Sequence, residues 1–222
     1  MQRVVWAGLT SLAVSVLGME AEAQVVPDNT LGAERSRVRA DRIRGRDGIE
    51  RDSDVIEGGA QRGSNLFHSF QQFDVPEGRG AYFGNPVDVQ NIFSRVIGSD
   101  RSEILGRLGV LGNANLFFMN PNGILFGPNA SLDVGGSFAA TTANAIQFSE
   151  QGFFSANDGA APGVLTVNPS AFFFNQVAGQ NIPRITNQAE GILGLIVGKN
   201  LVLLGGTVEN NGGRLTSLGE PA

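Results

Sequence analysis

The stretch NPNGILFGPNASLDVGG, residues 120–136, places two Pro-Asn turns only three apolar residues apart. In Asn120-Pro121-Asn122-Gly123 the asparagine side chain closes a turn on its own backbone, proline presets the next dihedral, and glycine accepts the exit conformation. Gly127-Pro128-Asn129-Ala130 repeats much of this chemistry. The intervening Ile124-Leu125-Phe126 is too short for a helix, and short even for a strand in an ordinary hairpin sheet. So brief a strand is worthwhile where the chain winds and each strand pairs in parallel with its equivalent one coil away, about 4.8 Å along the axis. The expected fold is therefore all-β, a right-handed parallel β-helix, the hand following the general crossover preference. Leu125, Leu132 and Val134 are expected to stack inward, and corner asparagines to form ladders whose amides bond from coil to coil.

A second pattern supports the winding. Asn65-Leu66-Phe67 recurs as Asn91-Ile92-Phe93 and Asn115-Leu116-Phe117, at separations of 26 and 24 residues. Self-similarity at such a period is the mark of a solenoid. Ser131 to Val134, Gly163 to Val167 and Asn200 to Leu204 add short strand signals, each beside turn residues. Ala139 to Phe148 reads as loop or as a strand outside the winding, since no long capped helical period occurs after the N-terminus. Composition agrees: Gly 31 in 222 residues with 41% hydrophobic content suits many short strands, and Phe 15 against Tyr 1 and Trp 1 favours rings in a dry interior.

The N-terminus reads differently. A short basic start, an apolar run from Val4 to Gly18 and the Ala21-Glu22-Ala23 pattern make residues 1–23 a secretory signal peptide, with cleavage before Gln24. Removal leaves 15 basic and 19 acidic residues, a mild acidic balance that argues against nucleic-acid affinity. With Cys 0, an exported chain must stabilise itself by packing and backbone pairing. From Asp28 to Arg62, eight arginines alternate with eight acidic residues, which predicts a solvated mixed-charge face or a loosely ordered leader. The expected division is a signal peptide over 1–23, a charged leader and N-terminal cap over 24–62, and a β-helix over 63–222 that continues in a longer exoprotein.

Four stretches also resemble a known family: NLFHSFQQFDV (65–75), NIFSRV (91–96), NPNGILFGPNASLDVGGSFAATTA (120–143) and NPSAFFFN (168–175). They are similar to the N-terminal two-partner secretion (TPS) domain of filamentous haemagglutinin-type exoproteins, in wording closest to cyanobacterial members. The resemblance implies a right-handed β-helix delivered to the periplasm by the general secretion machinery. There an outer-membrane β-barrel transporter with soluble receptor modules recognises it, and folding starts outside the cell. It also implies that Asn120, Pro121, Asn122, Gly123 and Ile124, together with the region around Asn65, serve efficient secretion. Turn chemistry already accounts for Asn120 to Ile124, so their loss is expected to block secretion by preventing folding. The alternative function is an adhesin for carbohydrate or cell surfaces.

Enzymatic chemistry has little support. One histidine, His68, and no cysteine make neither a usual zinc site nor a Ser-His-Asp triad, so a structural role for His68 is expected. The single lysine, Lys199, lacks phosphate-loop spacing, and Asp74, Asp88, Asp100, Asp133 and Asp158 are scattered rather than clustered as a lyase needs. No cofactor is implied.

Overall fold

The computed structural model describes residues 25–175, 182–195 and 198–217; the expected cleavage site at Ala21, Ala23 and Gln24 lies outside them. The chain winds as a parallel β-solenoid whose coils visit three faces in turn. The first sheet stacks Asn65–Phe73, Asn91–Val96, Asn115–Met119, Phe138–Thr141 and Leu201–Leu204, all parallel. The third sheet stacks Ser102–Ile104, Ile124–Phe126, Arg184–Asn187 and Thr207–Asn210, again in parallel. Each coil runs from the first sheet to the third and then to the second, in which Glu50–Gly58, Gly80–Gly84, Arg107–Leu111 and Ser131–Asp133 follow one another. Ile192–Leu195 and Arg214–Ser217 form a further parallel pair.

Register carries the repeat. Asn65, Asn91 and Asn115 are paired residues, and so are Leu66, Ile92 and Leu116, and Phe67, Phe93 and Phe117. Because side chains alternate across a strand, the middle position of the motif enters the solenoid core while the aromatic position faces outward. The inner core includes Phe70, Phe73, Phe83, Phe118, Phe126 and Phe138, each fully buried. Leu125 departs from expectation. It is only half-buried, while its neighbours Ile124 and Phe126 face the core. Leu132 packs half-buried against the core and Val134 is buried in it.

Between Thr141 and Arg184 the chain leaves the winding, and Ala145–Gln147, Phe153–Ser155 and Ala171–Phe173 form an antiparallel sheet of their own. Ala139 to Phe148 thus divides between a coil strand and this excursion. Gly163 to Val167, expected as a strand, pairs with none: the Leu165 and Val167 carbonyls instead accept the Asn65 amide, both at 2.8 Å. Phe148, Phe154 and Leu165 of the excursion cover Phe67 and Phe93, giving the first sheet a second apolar layer on its outer side.

The charged segment is ordered. Ser36–Arg44 and Glu50–Gly58 form a nine-residue antiparallel hairpin whose inner strand joins the second sheet through Ser53 to Ile56. Its outer strand carries the solvated mixed-charge face, with Arg39 paired to Asp41 and Glu57 and Arg42 to Asp52. The charge contrast at residue 62 therefore does not coincide with a break in the ladders. Val25–Pro27 and Ala60–Arg62 pair antiparallel with the outer edge of Asn65–Phe73.

Candidate functional site: the stacked motifs and the outer clamp

The three asparagines at the entrance to the first sheet form one continuous ladder. Asn115 Nδ2 donates to Asn91 Oδ1 at 2.9 Å and Asn91 Nδ2 to Asn65 Oδ1 at 3.0 Å. The upper end is closed by the Ser137 N–H, which donates to Asn115 Oδ1 at 2.8 Å. Beside it runs an aromatic column: Phe67 stacks on Phe93 with ring centroids 5.2 Å apart, and Phe93 on Phe117 at 4.6 Å. Truncating the middle rung strands groups on both neighbours, one of them on the fully buried Asn65. Asn91→Ala is expected to cost ~1–3 kcal/mol, the desolvation penalty of buried polar groups left unpaired, read as a fall in the urea midpoint without a change in slope.

Asn120 to Ile124 follow the far end of the Asn115–Met119 strand, so the two motif regions sit at opposite ends of one strand and do not meet. Asn120 is fully buried. Its Nδ2 donates to the Asp100 carbonyl and Ser102 Oγ of the preceding coil, both at 3.0 Å, and its Oδ1 accepts from the Asn122 N–H at 2.9 Å. Asn122 Nδ2 donates to the Gly98 carbonyl at 2.7 Å. Gly123 has φ +121, and a Cβ there would lie 3.0 Å from the Arg184 carbonyl oxygen of the next coil. The turn is thus pinned to the coil before it and abuts the coil after it, and Ile124 enters the core.

Sequence reasoning missed the residue that joins the layers. Arg95 is fully buried on the outer side of the first sheet. Its Nε donates to Ser69 Oγ at 2.9 Å, Nη1 to the Ser155 and Ala160 carbonyls at 2.5 and 2.8 Å, and Nη2 to Thr30 Oγ1 and the Gly159 carbonyl at 2.9 and 2.8 Å. The guanidinium also lies 4.5 Å from the Phe154 ring centroid. Burial lowers its pKa to about 10, opposed by the nearby Asp28 and Asp158 carboxylates, so it stays charged at neutral pH. The signal in the sequence was a single arginine inside the apolar run NIFSRV.

His68 lies inside, fully buried, with Nδ1 3.0 Å from Ser36 Oγ, and its ring centroid is 5.3 Å from that of Phe83. Burial lowers its pKa from 6.5 to about 3. The unfolded chain therefore takes up a proton as pH falls through about 6.5, while the folded chain holds out to about 3. Stability is full above that upper value and falls below it, by up to ~1.4 kcal/mol per pH unit. Asp47 and Glu34, held low by hydrogen bonds from Arg51 and Arg62, add their losses only at more acid pH, and Asp54, raised by burial, works in the opposite sense. Urea midpoints between pH 7.5 and 5 should fall with acid in the native chain, and His68→Asn should flatten that profile.

Among the described residues no group of three or more His, Cys, Asp or Glu is placed to hold a metal ion. The chain matches the TPS secretion domain family over residues 23–221. A heme/hemopexin-binding protein of Haemophilus influenzae is 31% identical over 83 residues, 37% of this chain, and the match spans 9% of that relative's length. The crystal structure of the filamentous hemagglutinin secretion domain is similar with a TM-score of 0.40 at 14% identity, covering 88% of this chain and 99% of that one.

Proposed function

The chain belongs to the TPS secretion domain family, and from that membership we propose that it is the targeting domain by which an outer-membrane β-barrel transporter selects its exoprotein in the periplasm. Domains of this family belong to two-partner secretion exoproteins, which leave the cell through the periplasm. The observation that carries the reading is the family match over residues 23–221. The stacked coils suggest how passage is driven. Each emerging coil buries apolar surface on the coil before it, at ~25 cal/mol per Å², which opposes backsliding without a nucleotide. The Asn120 to Ile124 turn contributes by setting its own coil on the one before, so its part in secretion is through folding.

Co-expression with the transporter, scoring medium against periplasm, tests this. Export that depends on the transporter, and that falls in step with the urea midpoint across turn variants, is the expected result. Accumulation in the medium without a transporter would overturn the targeting role. Normal export of a variant that cannot fold would overturn the folding drive.

A further inference from the structure

Where the hairpin turn leans across the second sheet, the coil corners leave a groove of about 380 Å³ lined by Arg51, Arg79, Arg107, Glu77, Asn129 and Ser131. Register brings these groups together: Ser53 pairs with Gly80, Gly80 with Arg107, and Arg107 with Ser131, so successive coils each supply one corner. Gly106 permits the close approach, since a Cβ there would lie 2.3 Å from the Pro76 and Arg79 carbonyl oxygens.

Two of the arginines are committed. Arg51 and Arg107 each lie 2.8 Å from Asp47, and Arg107 Nε also donates to Ser131 Oγ at 3.0 Å. Arg79 is not. Among the described residues its one charged partner is Asp54 at 3.6 Å, and its Nε is buried with no acceptor. Four of a guanidinium's five donors sit on its two Nη atoms, and the sealed Nε leaves those as the ones a ligand in the groove can reach. Glu77 uses one carboxylate oxygen to accept the exposed Asn129 amide at 2.7 Å.

We propose that this groove binds a small hydroxylated carboxylate, with the carboxylate on Arg79 and the hydroxyls on Glu77, Asn129 and Ser131. The planar guanidinium fork matches a planar carboxylate in a bidentate pair. Glu77 offers acceptors, which a hydroxyl donor satisfies and a sulfate, carrying only acceptors, does not. Either a free sugar acid or a uronic acid unit within a polysaccharide carries this chemistry. The site is independent of the targeting role.

Calorimetric titration of the purified protein with sodium glucuronate, glucose, and sodium chloride at matched ionic strength tests it, alongside the arginine Nε resonances in 15N NMR. Saturable binding of glucuronate in the millimolar range, with the Arg79 Nε–H moving and no response to glucose, is expected. Arg79→Gln should weaken it by about tenfold or more, a loss of ~1.4 kcal/mol, while Arg101→Gln, outside the groove, leaves it unchanged. Should Arg79→Gln unfold, Asn129→Asp keeps the test open, since a carboxylate at the exposed rim should weaken binding several-fold. A glycosidically linked oligouronate binding more tightly than glucuronate assigns a polysaccharide source, and equal affinities assign the free acid. An equal response to chloride, or glucuronate affinity unchanged in a folded Arg79→Gln or Asn129→Asp protein, would overturn the proposal.

Discussion

Gly123→Val should abolish export and unfold the middle coils. The backbone there has φ +121, which a β-branched residue scarcely adopts, at a cost of roughly 1–3 kcal/mol. The added Cβ would also sit 3.0 Å from the Arg184 carbonyl oxygen, so the neighbouring coil must give way, a further ~1–3 kcal/mol. Both terms act where Ile124 and Ile185 must pair, so the third sheet loses register rather than one contact. Pro121→Ala is the contrast: a half-buried position whose ring only presets a dihedral should lose about 1 kcal/mol or less. If Gly123→Val instead reaches the medium at the native level with an unchanged urea midpoint, the turn does not constrain the winding.

Arg95→Met should be nearly as severe, by a different route. Methionine retains apolar volume beside Phe154 but leaves the Ser155, Gly159 and Ala160 carbonyls without their donor and Asp28 without its nearby cation. Breaking a buried charged network by removing one partner typically costs ~3–5 kcal/mol. The loss should be local first. The Ser155 to Ala160 loop and the Asp28 to Thr30 segment should become protease-sensitive while the inner core, which Arg95 does not touch, keeps its slow hydrogen exchange. A cleavage pattern identical to the native chain would show that Phe148, Phe154 and Leu165 hold the outer layer without the clamp.

The solenoid was legible because its requirements are local. Turn residues at Asn120 to Gly123 and a coil-length repeat of Asn-Leu-Phe both appear within a few residues or at one fixed spacing. The asparagine ladder was legible for the same reason, since the same corner residue recurs on three successive coils at a near-constant spacing. Leu125 was misread because a strand of three residues leaving a turn has no parity of its own; the positive φ at Gly123 decides which side chains enter the core. Gly163 to Val167 alternates like a strand, yet its pattern answers to one buried contact, Leu165, and to carbonyls claimed by Asn65 about a hundred positions away. Arg95 was invisible on the same ground. Its carbonyl partners lie 60, 64 and 65 positions along the chain, in an excursion whose path no period announces.

Among the described residues, added strands lie over the start of the winding on two of its faces. Ala60–Arg62 and Val25–Pro27 together occupy the outer edge of Asn65–Phe73, the charged hairpin strand ends the second sheet, and Val75 bridges to Ile104 at the margin of the third. An edge strand bearing Arg39, Asp41 and Arg42 repels a flat apolar newcomer, as natural sheets arrange where association is unwelcome. The winding is therefore polar, with its charged end set against further pairing. On the proposed export route emerging coils dock at the other end, and the charged strand disfavours fusion of copies through their starting ends.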